Sequence, residues 1–83
     1  MKLSDALGAA PIGIDWEELE CWELFEVESA EGVTDAIRAS FAPPLPARPF
    51  ALVSLEGKRR AEFFGRAVFV IHGSKLTAYE MEH

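Results

Sequence analysis

A chain of 83 residues, 49% hydrophobic and 27% charged, is too apolar and too aromatic for intrinsic disorder and long enough for one modest core, so one domain over residues 1–83 is expected. Cys21 is the only cysteine, which excludes an intramolecular disulfide, and no Cys/His spacing matches a structural zinc site. The net charge of −6 is split unevenly: residues 1–41 carry ten acids against two bases, residues 42–83 four acids against six bases.

That polarity bears on partners. Nucleic-acid binding is driven by Lys and Arg neutralising phosphates, so direct binding to nucleic acid is not expected, and an electropositive protein is the better match. Met1 to Ala10 holds one lysine and no apolar run of signal-peptide length, and the longest apolar stretch, Ala67 to Ile71, is far below spanning length. A cytoplasmic protein without membrane contact is the expectation, reduced because it has no disulfide.

In chain order, Ser4 is a candidate cap for a short N-terminal helical segment over Asp5–Ala9, which Gly8 and Pro11 keep short. Pro11 to Ile14 reads as an extended connector. From Asp15, the near-helical spacing of Trp16, Leu19 and Trp22 predicts a turn or two of helix to about Leu19 or Glu20. Cys21, Phe25 and Val27 then alternate with Trp22, Glu26 and Glu28, which predicts a strand over about 22–28.

Ser29 is the next candidate cap. Ala30, Val33, Ile37 and Phe41 follow at three- and four-residue steps, with Glu31 and Asp35 placed to favour the helix dipole, and this predicts the one amphipathic helix. Pro43, Pro44, Pro46 and Pro49 prevent its continuation and make a stiff crossover. The last third reads as three strands, Phe50–Leu55, Ala61–His72 and Lys75–Met81, with turns at Glu56–Arg60 and Gly73-Ser74 and a bulge or bend at Gly65. The sum is an α+β fold: an antiparallel sheet of three to four strands with one amphipathic helix packed on a face.

The candidate site is the run from Asp15 to Glu31. Asp15, Glu17, Glu18, Glu20, Glu23, Glu26, Glu28 and Glu31 are eight acids in seventeen residues with no base among them. As a strand it carries a charge every ~7 Å and as a helix every ~3 Å, against roughly 3.4 Å per phosphate along one DNA strand. Neighbouring carboxylates repel, and a run left uncompensated is expected to be held for a partner, although a merely solvated face carries the same composition. Trp16 and Trp22 lie inside the run as aromatic anchors or as core residues.

Other features are less informative. Pro43 to Arg48 resembles a polyproline ligand but serves equally as a rigid linker. Lys58, Arg59 and Arg60 form a basic hairpin tip that makes a homodimer of opposite ends conceivable. No glycine elbow, paired-histidine helix or phosphate loop accompanies Cys21, His72 or His83, so neither catalysis nor a cofactor is expected.

In size and acidic patterning, with Asp15, Glu17, Glu18, Glu20, Glu23, Glu26, Glu28 and Glu31 in one run, the chain resembles phage-encoded inhibitors of bacterial defence, including the anti-CRISPR proteins. The resemblance implies a non-enzymatic inhibitor in the host cytoplasm, docked on a basic nucleic-acid-binding protein such as a Cas subunit and blocking target DNA by sterics or mimicry. Lys58, Arg59 and Arg60 depart from a purely acidic decoy. The alternative is a small self-associating structural or regulatory adaptor subunit.

Overall fold

In the computed structural model, which describes residues 1–8, 19–29 and 31–82, apolar side chains on both sides of one sheet set the architecture. Five antiparallel strands, β1 (Cys21–Val27), β2 (Ala51–Leu55), β3 (Arg59–Phe63), β4 (Ala67–His72) and β5 (Lys75–Met81), pair in the order β1-β5-β4-β3-β2. Helix α1 (Leu3–Leu7) and helix α2 (Thr34–Ala39) have five and six residues.

The fold is therefore β-dominated, which corrects the α+β expectation of three to four strands under an amphipathic helix. Two local causes account for the difference. The expected long strand from Ala61 to His72 is a hairpin: Gly65 takes φ +87°, a left-handed conformation open to glycine, and β3 and β4 pair back on each other with Phe63 opposite Val68. The expected helix after Ser29 loses its first turn, because Gly32 is left-handed at φ +78° and the cap falls at Val33, with no side-chain bond. Ser4, likewise, lies inside α1, whose cap position is Lys2. The connector from Pro11 and the helical turn from Asp15 fall outside the described residues.

β4 lies at the centre and is buried on both sides from Ala67 to Ile71. Its even-numbered residues Val68 and Val70 join Leu3, Leu7, Cys21, Ala61, Phe63 and Met81 on the side covered by α1. Its odd-numbered residues Ala67, Phe69 and Ile71 join Leu45, Phe64, Leu76 and Ala78, with Phe25, Ile37 and Phe41, on the side covered by α2.

The proline crossover belongs to this second layer. Leu45 is buried and its N–H donates to the Arg38 carbonyl at 3.1 Å, while Arg66 Nη2 donates to the Pro43 carbonyl at 2.6 Å. Rings tie the layer together, with centroids 4.9 Å apart for Phe64 and Phe69, 6.1 Å for Phe41 and Phe69, and 6.3 Å for Phe25 and Phe41.

Phe69, in the middle of that ring chain and 1% exposed, carries the α2-side core. Phe69→Ala is expected to cost about 3–5 kcal/mol in urea unfolding, whereas Leu52→Ala, at an exposed position, changes stability by about 0.5 kcal/mol or less. Equal losses for the two variants would contradict this placement of the core.

Candidate partner-binding edge

β1 borders the sheet, and its register is broken once. Cys21, Trp22 and Glu23 stand opposite Met81, Glu80 and Tyr79, but Phe25, Glu26 and Val27 stand opposite Ala78, Thr77 and Leu76. Leu24 has no opposite number, so it is the extra residue of a β-bulge. An unbroken strand would place Cys21, Glu23, Phe25 and Val27 on one face. The bulge reverses the phase at Leu24, so Cys21 packs in the α1-side core while Phe25 packs in the α2-side core. This corrects the sequence expectation that Cys21, Phe25 and Val27 share a face.

The consequence falls on the acids. Glu23 and Glu26, an odd- and an even-numbered residue, come to the same α1 side, beside Tyr79 and Thr77. Lys75, at the start of β5, donates from Nζ to Glu26 Oε1 at 2.9 Å. Its ammonium pKa is raised first by that hydrogen bond and by the charge of Glu26, then by the charges of Glu28 and Glu23. Glu23, Glu26 and Glu28 thus crowd one exposed flank around Lys75.

The remaining acids do not join that flank. Glu20 lies 3.6 Å from the Met1 ammonium, which itself donates to the Cys21 carbonyl at 2.9 Å. Glu31 lines a shallow cavity of about 220 Å³ with Thr34, Arg60 and Ser74, on the α2 side. Asp15, Trp16, Glu17 and Glu18 lie outside the described residues. The acidic run is therefore not one continuous row over the residues that can be placed.

The opposite flank of β1 is apolar. Trp22 is 47% exposed, so it is not the core residue that one reading of the sequence made it. Leu24, pushed out by the bulge, lines a shallow groove of about 290 Å³ with Phe25, Ser40 and Phe41. On the α1 side, Arg59, His72, Lys75, Thr77 and Tyr79 border a hollow of about 180 Å³. Lys75, Tyr79 and Leu24 are the site residues that sequence reasoning missed. Pairing across 49 positions leaves no local signal, but the polarity of β1 does change phase at Leu24.

Cys21 is buried, and burial first, then the charges of Glu20 and Asp5 against the opposing Met1 ammonium, push its thiol above its ordinary 9.0. Cys21 faces Met81 and His72 faces Lys75, six residues apart on β5, or about 20 Å at roughly 3.3 Å per residue. A thiol–imidazole pair does not form. Among the described residues no group of three or more His, Cys, Asp or Glu side chains is arranged to hold a metal ion, and no helix is long and apolar enough to cross a membrane. Compared with family models, curated proteins and solved structures, the chain matches none.

The titrations on this side of the sheet share a sign. Burial, and next the Glu23 charge, raise the Tyr79 phenol from 10.0, as burial raises Cys21 from 9.0. A group whose pKa is higher folded than unfolded contributes stability that is complete below the unfolded value and is lost as pH climbs through the folded one. The unfolding midpoint is expected to fall as pH rises past 9.0 and then 10.0. A Cys21→Ala variant should fall less over the first part of that range. A midpoint that is flat or rising across it would contradict these environments.

Proposed function

We propose that this protein is a non-enzymatic binding protein that lays the β1 edge on an electropositive, nucleic-acid-binding surface of another protein and occludes it. The observation that carries the reading is the convergence of Glu23, Glu26 and Glu28 on one exposed flank with Lys75 as their shared cation. Trp22 and Leu24 on the other flank supply apolar area beside the charge, the composition of an interface core with a polar rim. A DNA-binding Cas subunit is one surface of this class, and an anti-CRISPR inhibitor is the specific form the reading takes.

The spacing favours occlusion over imitation. Glu23 to Glu28 spans about 17 Å of strand, so the carboxylates recur at roughly twice the 3.4 Å phosphate interval of a DNA strand or more. A second reading is favoured by the same bulge. Charged side chains and a bulge on an edge strand are the devices by which sheets avoid pairing with other chains, and they need no partner.

Capture from host lysate at low and high salt, with wild-type and Glu23→Lys/Glu26→Lys baits, separates the two. Docking on a basic surface predicts nucleic-acid-binding proteins among the captured species, capture that weakens steeply with salt, loss with the reversed bait, and competition by added DNA or RNA. Capture indifferent to salt and to the reversal contradicts docking. Edge protection alone predicts that neither bait captures nucleic-acid-binding proteins, and that a neutral Glu23→Thr/Glu26→Thr variant associates with itself more readily than either.

A further inference from the structure

The two borders of the sheet are built differently. β1 carries a bulge and two carboxylates, Glu23 and Glu26, with Glu28 just past its end, and its first residues are already paired, since Leu3 N–H donates to the Leu19 carbonyl at 2.9 Å and Cys21 N–H to the Met1 carbonyl at 2.7 Å. β2, at the far border, has none of these among the described residues. It pairs with β3 through five consecutive residues without a register shift, and Ala51–Leu55 contains no charged residue. Leu52, in its middle, and Phe50, just before it, are each 67% exposed, the most exposed large apolar side chains among the described residues. A flat, uncharged, apolar edge strand is a template for pairing with another strand.

We infer that the outer edge of β2 pairs with β2 of a second copy of this chain, antiparallel about a two-fold axis at Leu52. The charges on either side of the strand select that occupant and that register. With the axis at Leu52, Ala51 meets Val53 and Phe50 meets Ser54, and beyond the two ends of the strand the bend that carries Arg48 comes beside the turn that carries Glu56. The two-fold brings those opposite charges together twice, because such an interface uses the same patch on both copies. An axis at Val53 instead brings Arg48 beside Lys58 and Phe50 beside Glu56, which opposes like charges and sets an apolar ring by a carboxylate. Neither the Arg48 nor the Glu56 side chain has an ion pair among the described residues, so both are free to make one. The contact is smaller than the roughly 800 Å² per partner of stable complexes, so the dimer is a reversible one. Joined this way, the two sheets run on as one of ten strands, with the acidic β1 edges at its two ends.

Sedimentation velocity over a concentration series tests the dimer. Wild type is expected to pass from monomer to dimer as concentration rises through the submillimolar range. Leu52→Lys, which sets two like charges on the axis at an exposed position, should stay monomeric with unchanged circular dichroism and unfolding midpoint. Arg48→Glu alone should weaken the dimer, and Arg48→Glu/Glu56→Arg should restore it. Glu23→Lys/Glu26→Lys should leave it intact, which separates this edge from the β1 reading. Wild type that is monomeric throughout, a dimer that survives Leu52→Lys, or a charge swap that does not rescue would each overturn the inference.

Discussion

Leu24 adds one residue to β1 that β5 does not match, and the arrangement of both flanks follows from where that residue goes. Before it, odd-numbered residues face α1. After it, even-numbered residues do. Cys21 and Phe25 can therefore close different cores while Glu23, Glu26 and Glu28 gather on one side, out of both. A regular strand with this sequence would keep Phe25 on the side of Cys21, away from Phe41 and the α2-side core. The bulge turns Phe25 to that core and leaves Lys75 to offset part of the repulsion it creates.

Several elements are legible in the sequence. β1, β2 and β5 were expected within one residue of their ends, and the turns at Gly57 and Gly73 follow from the glycines that take φ +72° and +65° there. The hairpin at Gly65 was half legible. A glycine in a twelve-residue strand-like stretch marks a break, but whether it bends one strand or separates two depends on the pairing of Phe63 with Val68. The short α2 is not legible, because apolar steps at Val33, Ile37 and Phe41 satisfy a helical period whether or not the first turn forms, and Gly32 at φ +78° decides against that turn.

The site was less legible than the fold. Composition exposes an excess of acid but not which carboxylates share a flank, since that depends on a phase change at one residue and on Lys75, 49 positions from Glu26. The polarity pattern carries the clue: odd positions pass from Glu23 to Phe25 and Val27 across Leu24, and even positions from Trp22 to Glu26 and Glu28. The division of charge along the chain becomes a division of edges. The acidic half supplies the defended β1 border, and the mildly basic half supplies β2, β3 and the hairpin between them.

The most direct test of this account is the register of β1 against β5, read from cross-strand nuclear Overhauser effects between backbone protons. The bulge predicts contacts of Glu23 with Tyr79 on one side of Leu24, and of Phe25 with Ala78 and Val27 with Leu76 on the other. Contacts of Phe25 with Thr77 and Val27 with Lys75 would mean an unbroken ladder. In that case the three carboxylates would not share a flank, and the proposal of β1 as a binding edge would fail.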